Sequence, residues 1–82
     1  VPELFATVAD LVAQVADVPA GQVTPEVRFD ALANWTSLEA LRLLTVLEDD
    51  LDVRLDLREY LAVTDVAGLV ALVAAAPDGV SR

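Results

Sequence analysis

Leu4, Phe5, Val8, Leu11, Val12 and Val15 recur at three- and four-residue intervals, which places them on one stripe of a helix. Pro2 and Glu3 suit its start, the first by its fixed φ and the second by its charge beside the positive helix end. The pattern predicts a helix over 2–16. From Asp17 to Asn34 the period lapses, and Pro19, Gly21 and Pro25 intervene. This is a long loop, yet Val18, Val23, Val27, Phe29 and Leu32 recur along it as anchors to a core. Loops of that length in a small domain tend to wrap the structure or to serve function. The helical period returns over 37–51, where Ala40, Leu43, Leu44, Leu47 and Leu51 define one buried face. Leu51, Val53, Leu55 and Leu57 then alternate with charged residues, which predicts an extended segment over 52–56.

Asp56 with Glu59 three residues on has the capping-box spacing, ahead of a short helix over 57–62. Thr64 or Asp65 caps a last helix that sets Val66, Leu69, Val70 and Val73 on one face. Gly68 weakens that helix by about 1 kcal/mol relative to Ala, which burial must offset. The ending "PDGVSR" reads as a flexible tail over 77–82, after a single domain over 1–76. The expected fold is all-α, a four-helix bundle of three main helices and one short one with a long first loop.

Composition narrows the chemistry. Cysteine is absent, so there is neither a disulfide framework nor a thiolate metal site. Histidine is absent too, and all five basic residues are arginines. The usual general bases, thiol nucleophiles and Schiff-base amines are therefore missing, and the domain is expected not to be an enzyme. A formal charge of −9 repels nucleic acid and anionic membranes and attracts basic proteins. The run Val66 to Ala76 falls short of the roughly 20 apolar residues a bilayer requires. The first residues lack the basic region of a signal peptide, so a cytoplasmic monomer is the expectation. Asp50, Asp52 and Asp56 have some look of a calcium loop, but Arg54 sits among them and no glycine supplies the turn. They read as a solvated acidic edge.

The start of the second helix carries the strongest signal. Thr36 to Glu39 is T-x-x-E, the capping box: the threonine oxygen takes the amide of Glu39 and the glutamate returns to the Thr36 amide. Ser37 is then the first helical residue, with its hydroxyl beside the unpaired amides and the positive dipole end, where a phosphate is favoured. On spacing alone, Ser37 reads first as a tolerated polar residue in a first turn, since such serines are common. Leu38, Leu41, Thr45 and Glu48 form a second stripe, rotated away from the buried face and ringed by Glu39, Asp49 and Asp50. That stripe is either a docking patch or a surface covered by the long loop.

The stretch "TSLEALRLLTVLEDDLDVRL", continuing into "TDVAGLVALV", resembles the acyl carrier proteins, and the likeness covers nearly the whole chain. The family pattern is D-S-L followed by an amphipathic helix that ends in acidic residues. The resemblance implies that Ser37 receives 4′-phosphopantetheine from coenzyme A, through a phosphopantetheinyl transferase that uses Mg²⁺. The arm's thiol would then hold acyl groups as thioesters for acyl-loading, condensing or modifying enzymes. It also implies that Leu38, Glu39, Leu41, Arg42, Thr45, Glu48 and Asp49, with Asp50, face those partners.

This chain departs from the family pattern at three positions. Thr36 replaces the aspartate, Trp35 stands where a small residue is usual, and Arg42 falls where many fatty-acid carriers are acidic. These departures point to polyketide or related secondary metabolism rather than a general fatty-acid role. The G-G-x-S pattern of peptidyl carriers is absent, which ranks an aminoacyl or peptidyl cargo lower. A helical docking domain that is never modified is the rival from another class.

Overall fold

A computed structural model describes residues 2–33 and 35–76; the tail predicted over 77–82, with Ser81, and the loop residue Asn34 lie outside the described residues. Helix α1 runs Pro2–Ala16, α2 Ser37–Leu51, α3 Leu57–Ala62 and α4 Val66–Ala75. The helices fall where periodicity and caps predict them. Helix α1 packs against α2 and α4, and α3 packs against α4. Val8, Val12, Leu43, Leu47, Val66 and Leu69 are fully buried at the centre, one pair from each of the three long helices. Burying a branched aliphatic side chain contributes about 1.5–3 kcal/mol, so this shared centre is the main force that closes the bundle.

The long loop is ordered by its anchors. Val23 is buried, and Val18, Val27, Phe29 and Leu32 pack partly buried against the core. Two single turns of 3-10 helix, Ala20–Gln22 and Phe29–Ala31, take up its slack. Its second half is tied to the start of α4: Phe29 N donates to Thr64 O, Val66 N to Val27 O, and Ala67 N to Pro25 O, at 2.9–3.0 Å. Two of these amides belong to the first turn of α4 and would otherwise lack partners.

Asp65, not Thr64, caps α4, its carboxylate accepting from Gly68 N at 2.8 Å. A Cβ at Gly68 would stand 3.1 Å from that carboxylate oxygen, so the glycine that weakens the helix also leaves room for its cap. At α3, Asp56 accepts from Glu59 N at 3.0 Å, which is half of the capping box the spacing suggested.

One expectation needs correction. The segment predicted as extended over 52–56 begins with a left-handed residue, Asp52 (φ 55°), that ends α2. Helix α1 ends in the same way: Asp17 has φ 60°, and Val18 N bonds back to Ala13 O at 3.1 Å. This is the Schellman arrangement, usually built on glycine. Aspartate tolerates the left-handed region better than most residues, and no glycine announces either turn.

Candidate functional site

The site is built on the first turn of α2. Thr36 is extended (φ −124°, ψ 179°) and forms the N-cap. Its hydroxyl oxygen accepts from Leu38 N at 3.2 Å and its amide donates to Glu39 Oε1 at 3.0 Å. The Thr36 hydroxyl also donates to Glu39 Oε1, so one carboxylate oxygen receives both Thr36 protons. That hydroxyl first, and the amide second, hold the Glu39 carboxyl below the usual glutamate range. The capping box predicted for Thr36 and Glu39 is present, with the threonine oxygen also accepting from Leu38 N, one residue before the amide that spacing predicted. Ser37 opens the helix and is exposed. Its side chain is therefore open to a modifying enzyme beside the positive end of a 15-residue helix. A serine in that place fits a phosphodiester: the oxygen is accessible, and the added charge meets first-turn amides.

The stripe above it is open to solvent. Leu38 is 55% exposed and Leu41 48%, so the long loop does not cover them. Thr45 is exposed as well, its hydroxyl donating to Leu41 O at 3.1 Å. Arg42, Asp49 and Asp50 are exposed. Glu48 is different. It is partly buried, and its Oε2 accepts from Leu55 N at 3.0 Å, pinning the chain that follows α2. Spacing placed it on the outer stripe, and the structure gives it an internal task seven residues along the chain.

Helix α3 extends the site in a way that spacing did not disclose. Tyr60 is buried, and its hydroxyl donates to the carbonyl of Ala40, one turn above Ser37. Burial pushes the phenol up to about 12. The bond holds α3 alongside the start of α2 and leaves Leu57 and Leu61 exposed at 49% and 59%. Four exposed leucines therefore stand on two helices joined by Tyr60. An aromatic in a six-residue amphipathic helix was the only available signal; its partner is 20 residues away.

A narrow cleft of about 120 Å³ lies between these helices and the loop, lined by Phe29, Trp35, Ala40, Tyr60, Leu61 and Val63. The Phe29 and Trp35 rings stack across its loop side, with centroids 5.3 Å apart and planes at 26°. Arg28 and Asp30 flank the stack as an exposed ion pair at 3.1 Å, worth little in stability. A larger open hollow of about 360 Å³, between Arg54, Leu55, Leu72 and Ala76, includes no residue of the Ser37 turn.

Among the described residues no acidic cluster is placed to hold a metal ion, and no helix is long and apolar enough to cross a membrane. Residues 6–73 match the family described as phosphopantetheine attachment site. That family carries 4′-phosphopantetheine covalently on a serine, and its members are carriers that work with a transferase and partner enzymes. None of the curated proteins matches the chain.

Proposed function

The chain belongs to the phosphopantetheine-attachment family, and on that premise we propose that it is an acyl carrier protein whose arm is attached at Ser37. The observation that supports this reading is an exposed serine at the first position of α2, within the matched residues, whose helix is capped by its neighbours. Attachment joins the Ser37 oxygen to the phosphorus nearest pantetheine in coenzyme A and breaks the pyrophosphate link. The adenosine bisphosphate leaves, and the serine proton passes to a base on the transferase. The arm supplies the thiol that this cysteine-free chain lacks and holds acyl groups as thioesters. The chain's own residues fix the anchor point and the docking surface. In this reading Leu38, Leu41 and Thr45 meet partners on the apolar stripe, and Glu39, Asp49 and Asp50 attract basic surfaces. Thr36, Trp35 and Arg42 support a place in polyketide or related secondary metabolism over general fatty-acid synthesis.

The test is intact mass after incubation with coenzyme A, Mg²⁺ and a broad-specificity transferase. A gain of one phosphopantetheine, mapped by digestion to the peptide holding Ser37 and not to that of Ser81, supports the carrier. A chain that remains unmodified favours the docking domain, to which the four exposed leucines would also be suited. The genes flanking its own would test the pathway.

A further inference from the structure

We propose that the outer stripe of α2 docks a bipolar surface, one that sets a carboxylate opposite Arg42 and a cation opposite Asp49. The inference goes beyond the carrier reading and does not depend on modification of Ser37. Leu38, Arg42, Thr45 and Asp49 follow at intervals of four, three and four residues, so they stand in one line on the helix. All four are exposed, as is Leu41 beside them. Arg42 is the only basic residue of α2 and lies in the half of the helix nearer Ser37. Among the described residues it enters no ion pair, whereas Arg28 and Asp30 do. Glu39, the acid nearest to it in sequence, has its carboxylate turned back to the amide and hydroxyl of Thr36. Glu48 is engaged as well, by Leu55 N. The free charges of α2 are therefore a cation at Arg42 and the carboxylates of Asp49 and Asp50 at the far end.

Spacing makes these two separate poles. The seven residues from Arg42 to Asp49 put about 10 Å between them along the axis. That is roughly one Debye length at 0.1 M salt, so neither charge masks the other. Thr45 lies between them, neutral, its hydroxyl donating to Leu41 O. Leu38 and Leu41 supply the apolar contact. A uniformly basic surface that meets Asp49 brings a like charge against Arg42, whereas a surface with one carboxylate there matches both poles. Like-charge contact excludes wrong partners, and the matched pairs fix register more than they add affinity. The formal charge of −9 draws in basic proteins of any kind, and Arg42 is where they are told apart.

Two synthetic amphipathic peptides serve as probes, each a helix with a leucine face. In the first, that face carries a glutamate and, two turns on, a pair of lysines. The second has the same composition, but its glutamate has changed places with a lysine of the far side, so net charge is equal. Amide shifts of the isotope-labelled chain map the contact and give Kd. The first peptide should bind about two- to fivefold tighter at low salt. It should move the amides of 38–50 and lose its advantage as salt rises. The preference should vanish in Arg42→Gln and reverse in Arg42→Glu, with the helical signal checking that both fold. Should Arg42→Glu fail to fold, Arg42→Gln decides. Equal binding of the two peptides to the parent, or a preference that survives in Arg42→Gln, overturns the inference. So do peptides that leave the amides of α2 unmoved. A chain that no transferase loads sinks the carrier reading and leaves this one standing.

Discussion

The two ends of α2 obey local physics to opposite degrees. At its start, Thr36 and Glu39 satisfy first-turn amides, and Glu39 sets a negative charge on the positive pole. At its end, Glu48, Asp49, Asp50 and Asp52 gather on the negative pole with no basic residue in the last turn. Asp52 is also held in the left-handed conformation. The start is what a helix designed for stability would have; the end is not. Glu48 has a structural reason to be there, because it bonds to Leu55 N. Asp49 and Asp50 have none, being exposed and without a cation in the turn. Local rules broken without local compensation are expected where function draws on the residues. One end is a capped helix start that bears an exposed serine, and the other presents charge.

The largest effect should come from a change that leaves both ends standing. Ser37→Ala should lose all covalent loading, since the nucleophilic oxygen is gone and no Cys or Lys can replace it. Its unfolding midpoint should move by no more than the equivalent of about 0.5 kcal/mol, because the cap is made by Thr36. Mass spectrometry and chemical denaturation read the two halves. Loading that persists in this variant would remove Ser37 from the site.

Breaking the start itself comes next. Thr36→Ala should lower stability by about 1 kcal/mol, while Thr36→Asp keeps a capping oxygen and a favourable dipole contact. The aspartate variant should be loaded at least as fast as the parent in a timed transferase assay. At the other end the sign reverses. Asp49→Lys and Asp50→Lys should each raise stability by about 0.3–1 kcal/mol at low salt, by relieving the dipole. The same changes should slow association with a basic partner enzyme, and rising salt should slow the parent in the same way. A variant less stable than the parent would show that these carboxylates hold the fold after all.

The smallest expected effect is a pH dependence at the start. Glu39 is held below the usual carboxylate range, chiefly by the Thr36 hydroxyl. A depressed carboxyl contributes stability above its unfolded value and loses it as pH falls through the folded one. The stability difference between the parent and Glu39→Gln should therefore shrink as pH drops from about 6 to about 3. Denaturation midpoints across that range would check it, and a constant difference would separate the cap from the Glu39 charge.

The helices were legible in sequence because their causes are local. The 3.6-residue period and the caps at Thr36, Asp56 and Asp65 act over a few residues, and all three appear in the structure. The place of Ser37 at the first turn of α2 was legible for the same reason; whether the loop covers Leu38 and Leu41 was not, and the structure leaves both exposed. What escaped depended on pairs distant in the chain or on conformations without a marker residue. Glu48 reaches Leu55, Tyr60 reaches Ala40, and Phe29 finds Trp35 only once the loop has folded. The left-handed turns at Asp17 and Asp52 carry no glycine. Spacing defined the start of α2 and its outer stripe, and tertiary contacts supplied the cleft.

Helix α3 bears on the time scale of that cleft. Six residues are too few for a helix to persist alone, and this one has half a capping box, the buried ring of Tyr60 and its bond to Ala40. In native-state hydrogen exchange the amides of 57–62 should therefore open at a lower free energy than those of α1 and the middle of α2. Tyr60, Leu61 and the following Val63 make up one side of the cleft. Its width would then follow a local opening equilibrium rather than side-chain rotation alone. Opening of the cleft would follow the slower microsecond clock of segment motion, while the capped start of α2 stays fixed.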